Sequence, residues 1–284
     1  MRFKSTPLND GKWLGTVLCY FIDQISCRLG GHPSVVPFLD NGFLVLTPYT
    51  APGIHYSRVG CFHDYEEMSL FRDALRPDDV FIDVGANAGS FSVIAIIKGC
   101  GDVVAFEPSS KTNWIANLNF LLNGSDPSRH LVMPVAVGRY TSKAVITNYL
   151  GGTDHLLVPT DSQRCRGDRG RTSIVDIRSL DSFQFNEKLG RSSFLALKID
   201  VEGFDLDVLM GATLLLDAAR SCLICVEANK DKAQIKDFLL KRGFDLVRYN
   251  PFTKTVIDSG DFTDNQNGLF VKGKTQLIDR LSAD

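Results

Sequence analysis

Several residues in this chain have types and spacings that suit them to chemistry. Asp83, Gly85, Asn87, Gly89 and Ser90 fall within one short stretch, VFIDVGANAGSF, residues 80–91. Glu107 and Pro108 close the apolar run DVVAFEP, residues 102–108. Lys198, Asp200 and Glu202 alternate along LALKIDVEG, residues 195–203. Side chains two apart on a strand share a face, so Lys198 and Asp200 are spaced for an ion pair, and Gly203 permits a tight turn that presents Asp200 and Glu202.

A glycine-bearing turn between a buried strand and a helix lets backbone approach a nucleoside-bearing ligand. A dinucleotide turn requires G-x-G-x-x-G, with its second glycine against the pyrophosphate. Here the turn reads G-A-N-A-G, and Asn87 stands where that glycine would be. The Asp83 carboxylate near the ligand would repel a pyrophosphate and suit a cationic amino-acid portion. Glu107 stands where an acidic residue accepts hydrogen bonds from both ribose hydroxyls, a feature that NAD and S-adenosylmethionine sites share. Taken together, Asp83, Asn87 and Glu107 favour S-adenosylmethionine, with Gly85, Gly89, Ser90 and Pro108 completing the expected cofactor set.

Methyl transfer from a sulfonium is an in-line displacement, which requires an aligned acceptor and a base for the proton of a neutral hydroxyl. Candidates for that base are Asp200, Glu202, His63 and His155. Histidine is better matched to neutral pH than an unperturbed carboxylate. Lys198 either orients Asp200 through a salt bridge or meets the substrate itself.

The elements that must carry these residues follow from periodicity. From residue 79 onward, apolar runs alternate with helical patterns, which predicts a parallel sheet covered on both faces. The runs at 79–85, 102–108 and 131–138 read as strands, and those at 90–99 and 111–124 as helices. Residues 140–175 break the rhythm and read as a long irregular insertion over the site. Strands and helices resume at 194–243. The strands FDLVRYN and NGLFVKG are too close for a helical crossover and are expected to pair antiparallel. Residues 1–78 form an N-terminal appendage of a helix and short strands, and residues 79–284 the cofactor-binding domain.

Composition narrows the function. With 31 Lys+Arg against 33 Asp+Glu, the formal charge of −2 gives no nucleic-acid footprint. The basic run RCRGDRGR, residues 164–171, reads as a solvated loop. Seven scattered cysteines form no disulfide framework and fit a reducing, cytoplasmic setting; Cys222 and Cys225 read as core thiols. The stretch at 12–30 has helical apolar spacing, but Asp23 interrupts it and its apolar part is too short to span a membrane. It is expected to pack on the domain or on a partner chain, as in a homo-oligomer, with peripheral membrane contact as the alternative.

Beyond the glycine turn, the strings AFEPS, VAVG (135–138), SLDSF (179–183), LKIDVEGFDLDVLMGA (197–212) and VEAN (226–229) resemble the FkbM-type S-adenosylmethionine-dependent methyltransferases over residues 80–272. The resemblance implies an α/β, Rossmann-like class I methyltransferase fold, with a mostly parallel seven-stranded sheet and an antiparallel terminal strand. The upstream GCFHDYEEM, residues 60–68, looks like the segment preceding the core in sugar-modifying members. The expected activity is O-methylation of a sugar hydroxyl in a glycoconjugate or secondary metabolite. Peptide or amide N-methylation, or a NAD-linked oxidoreductase, are the alternatives. Asp200, Glu202 and Glu227 lack the ligand spacing of catechol-type enzymes, so no metal is expected.

Overall fold

The structure is a computed structural model that describes residues 18, 21, 25, 29, 33–47, 50, 54, 57, 62–147, 156–157, 172–185, 189, 194–227, 231–262 and 267–283. Leu18, Phe21, Ile25 and Leu29 are helical and exposed, so these apolar side chains are not buried on the domain. A hairpin of β1 (Ser34–Phe38) and β2 (Gly42–Leu46) follows. The helix α1 (Tyr65–Ala74) then leads into the main alternation: β3 (Val80–Val84), α2 (Ser90–Ile97), β4 (Asp102–Phe106), α3 (Ser110–Leu122) and β5 (His130–Met133). After it come β6 (Ala136–Val137), β7 (Ser142–Thr147), β8 (Leu156–Leu157) and β9 (Thr172–Arg178).

The second half of the alternation holds β10 (Leu195–Ile199), α4 (Asp205–Met210), α5 (Thr213–Ala218), β11 (Cys222–Glu227) and α6 (Lys232–Leu240). It ends in β12 (Asp245–Asn250), β13 (Thr255–Asp258), β14 (Asn267–Lys272) and α7 (Lys274–Ser282).

The main sheet has the order β13-β12-β14-β11-β10-β3-β4-β5. Its strands β11, β10, β3, β4 and β5 are mutually parallel, and β14 inserts antiparallel between β11 and β12. It therefore has eight strands rather than the expected seven. The added strand is β13, an edge hairpin on β12 built from residues expected to form only a connection.

Every residue of β3 and of β10 is buried, as their unbroken apolar runs require at the middle of a sheet with helices on both faces. Alternate side chains feed two cores: Phe81 and Ala196 enter one, while Val80, Ile82, Val84, Leu195, Leu197 and Ile199 enter the other. Directly before β3, the wholly buried Asp79 takes a two-pronged ion pair from Arg280 of α7, at 2.7 and 3.0 Å, which ties the C-terminal helix to the start of the central strand.

Pro134 and Val135 separate what reads in the sequence as one strand into β5 and β6. The second piece joins β9, β7 and β8 in a separate four-stranded sheet. The described part of residues 140–175 is thus β structure rather than an irregular loop. The order of the main sheet turns at β3, with β4 on one side and β10 on the other, and a crevice opens there beyond the strand ends.

Candidate active site

The turn after β3 is shaped by what lies across from it. Gly85 has φ +77°, and a Cβ placed there would sit 1.9 Å from the Asp200 carbonyl oxygen at the end of β10. Gly89 owes its identity to the backbone instead: its φ is +75°, while a Cβ there would make only ordinary contact with Ala116 and Phe120 of α3. The close approach at Gly85 is therefore to another part of the chain. Asn87 adopts φ +51°, a left-handed conformation that asparagine tolerates, and its Oδ1 accepts the Ala88 amide at 2.9 Å.

Glu107 at the end of β4 is buried and held by both turns. Its Oε2 accepts the Asn87 amide at 2.8 Å, and its Oε1 accepts the Ser109 amide at 2.9 Å. Charge-assisted bonds of this kind fix a carboxylate firmly. Asp83 is 1% exposed, with Oδ2 accepting from Ser92 Oγ at 2.6 Å and from the Ser92 amide at 3.2 Å. Burial pushes Asp83 up to about 6, against the pull of the Ser92 hydrogen bonds and of Lys198.

Parallel register places Lys198 level with Asp83 on one side and Cys225 on the other. Its aliphatic stem is buried, and its Nζ reaches Asp200 Oδ2 at 3.0 Å while lying 5.2 Å from the Phe91 ring centre. Burial works against the Lys198 charge, but Asp200, with Cys225 and Asp64 adding to it, more than offsets burial and keeps the ammonium charged. Burial works against the Asp200 charge too; Lys198 and a hydrogen bond with Glu227 outweigh it and hold Asp200 below the usual carboxylate range. Glu227 goes the opposite way, pushed up to about 8 by burial and then by the Asp200 hydrogen bond.

His63 stands edge-on to Phe91, with ring centres 5.9 Å apart, and its Nε2 lies 3.7 Å from Asp64 Oδ2. Its Nδ1 is buried with no hydrogen-bond partner. Burial lowers the His63 pKa, so the ring is neutral at pH 7.

One cleft gathers the described candidates. Asp83, Gly85, Asn87, Ser90, Glu107 and Pro108 line it toward β3 and β4, and His63, Lys198, Asp200 and Glu202 line it toward β10. Gly89 stays behind the wall, and His155 lies outside the described residues. Val135, Ala136, Val137 and Ile146, from the smaller sheet and the segment leading into it, close one side with apolar surface. Sequence reasoning missed Asp64, Phe91, Thr112 and Ile146 in this lining. Asp64 and Phe91 sit inside strings already singled out, while Ile146 carries no local signal. Among the described residues, no three His, Cys, Asp or Glu side chains are grouped to hold a metal ion.

The model of the methyltransferase FkbM domain matches residues 83–246. The chain belongs to the FkbM methyltransferase family. Membership makes the chain a methyltransferase. It is similar to hexuronic acid methyltransferase AglP of Haloferax volcanii, 25% identical over 176 residues that span 62% of this chain and 67% of the relative. The crystal structure of methyltransferase FkbM from Methylobacillus flagellatus is 17% identical, with a TM-score of 0.44 over 78% of this chain. The chain spans about half of that protein, 52%. A Streptococcus agalactiae protein of the NADB-Rossmann superfamily is 11% identical, with a TM-score of 0.40 over 72% of this chain and 66% of its own.

Proposed function

We propose that the chain is an O-methyltransferase that uses S-adenosylmethionine to methylate a sugar hydroxyl in a glycoconjugate or secondary metabolite. The observation that carries this reading is the presence of two chemically different ends in one cleft: Glu107, clamped by backbone amides, and the His63–Lys198–Asp200 group opposite. The donor set fits the cofactor. Glu107 is the acceptor for ribose hydroxyls, Phe106, Val135 and Val137 offer apolar walls to a base, and Asp83 gives the cationic end a negative field. S-adenosylmethionine supplies the methyl group and a thioether leaving group that keeps the bonding pair.

The chain's own residues handle the acceptor. His63, neutral at pH 7, takes the hydroxyl proton as the oxygen–methyl bond forms and the carbon–sulfur bond breaks. Asp64 and Asp200 stabilise the imidazolium that results. Asp200, held by Lys198, orients the hydroxyl, and Glu202 beside it lines the acceptor entrance. Positioning of this kind is worth several kcal/mol, and a general base a further ~10²–10⁴-fold. We assign the enzyme to the cytoplasm, consistent with Cys100, Cys222 and Cys225 being free and buried thiols.

The test is mass spectrometry after incubation of the protein with methyl-labelled S-adenosylmethionine and a panel of acceptors. Hexuronic acids, the class in the name of the Haloferax volcanii relative, head the panel, followed by neutral sugars, amino sugars and peptides. Label on a sugar oxygen supports the reading. Label confined to peptide nitrogen replaces it with N-methylation, and failure to bind either S-adenosylmethionine or S-adenosylhomocysteine at millimolar concentration overturns it.

A further inference from the structure

Glu227 ends β11 in a place the reaction described above does not use. Because Ile199 is paired with Val226 in parallel register, the next residues along, Asp200 and Glu227, are neighbours at the strand ends. At these neighbouring strand ends their carboxyl groups come within hydrogen-bonding reach of one another. An ionised carboxylate only accepts hydrogen bonds, so two carboxyl groups can share one only if a proton lies between them. The other contact of Asp200 decides which of them carries it. Asp200 receives the Lys198 ammonium at 3.0 Å and is the anion, which leaves Glu227 as the acid.

The surroundings keep that arrangement. Lys198 and Asp200 face Glu227 from β10, Glu202 faces it from the following turn, and Asn267 stands opposite it on β14. Asn267 is engaged in turn by Glu67 of α1, itself pushed up to about 7, chiefly by burial. His63 and Asp64 lie beyond Asp200. Lys198 is the cation that bears most strongly on this acidic group, and it already pairs with Asp200, so a second negative charge beside Asp200 would be poorly compensated.

We propose that Glu227 is a positioning residue that donates a hydrogen bond to Asp200, making the two carboxyl groups a one-proton dyad that holds Asp200 in register with the acceptor. This rests on the methyltransferase reading for its consequence in rate, but not for its protonation chemistry. Once the shared proton is lost, the two carboxylates repel, Asp200 leaves its orientation, and turnover falls. Since His63 is already neutral at pH 7, raising the pH further brings no compensating gain in base.

The experiment has two arms. Carbon-13 NMR titration of the carboxyl groups of the full chain, assigned with Glu227→Gln, reads the dyad without any acceptor. Glu227 is expected to remain protonated up to about pH 8. Titration of Glu227 in the ordinary carboxylate range overturns the dyad whether or not methyl transfer has been detected. In the second arm, kcat for labelled-methyl transfer is followed from pH 6 to 9.5. The wild type is expected to lose rate as pH rises through about 8. Glu227→Gln, which still donates to Asp200 but cannot ionise, should flatten that limb, and Glu227→Ala should lower kcat ~10-fold or more at all pH values with S-adenosylhomocysteine affinity within about twofold. A Glu227→Gln profile that keeps the wild-type alkaline limb overturns the proposal. Absence of transfer in the wild type with a protonated Glu227 counts instead against the functional reading alone.

Discussion

Glu107 is the most firmly held carboxylate at the proposed cofactor end, because the Asn87 and Ser109 amides converge on it from two different turns. In Glu107→Ala, a ribose would lose bonds to a charged acceptor, each worth about 1.5–3 kcal/mol, and two amides would lose their anion. Calorimetry with S-adenosylhomocysteine should show affinity falling by at least ~100-fold; unchanged affinity would put the cofactor elsewhere. Gly85→Ala should fail differently. Its φ of +77° and the 1.9 Å approach to the Asp200 oxygen leave no room for a methyl group, so the strands must part. We expect a fall in thermal stability together with loss of both cofactor affinity and turnover. At this scale the residues were largely legible and their reasons less so. The glycine pattern marked a turn that lines the cleft, yet Gly85 makes room for backbone across the sheet, a tertiary fact that local spacing does not encode.

Between elements, the family strings turn out to be joints as well as site. A Cβ on Gly211, in VLMGA, would lie 2.2 Å from the Gly138 carbonyl oxygen of VAVG. Asp181 of SLDSF accepts the Leu214 and Leu215 amides at 3.0 and 2.9 Å, satisfying donors at the start of α5. Strands β3, β10 and β11 could be read directly, since fully buried strands are continuous apolar runs. The short β6 and the exposed edge strand β13 could not: two residues have no period, and edge positions bury too little to leave a pattern. The clamp on α7 was invisible for another reason, as Asp79 and Arg280 are about two hundred residues apart in sequence. Arg280→Ala takes from this buried carboxylate its two-pronged guanidinium partner, while the Arg76 amide still donates to it at 2.8 Å. Removing one partner of a buried pair costs roughly 3–5 kcal/mol, so thermal unfolding should move down by several degrees. Cofactor affinity measured in the cold should be unaffected, since α7 does not line the cleft.

For the whole molecule, the buried charges bring a dependence on pH that a near-neutral composition conceals. Asp83 holds its proton up to about 6 when folded against 3.8 for an unperturbed aspartate, so between those values the folded chain binds more protons than the unfolded one. Stability contributed by this group is full below about pH 4 and falls as pH rises to 6, by about 3 kcal/mol. Asp83→Asn, which keeps an acceptor for Ser92, should flatten the dependence in that window and raise stability at pH 7. A denaturant titration at pH 4 and pH 7 checks it, and a variant with the same pH slope as the wild type would refute the assignment. Among the described residues no helix is long and apolar enough to cross a membrane.

The contact between Gly85 and the Asp200 carbonyl makes the fold a fixed gauge. The turn after β3 and the end of β10 are set apart by the van der Waals radius of two backbone groups, with no rotamer in between, so the spacing does not drift when side chains around it are exchanged. The smaller sheet that closes one side of the cleft belongs to a separate set of strands, so its surface can change while that spacing stays fixed.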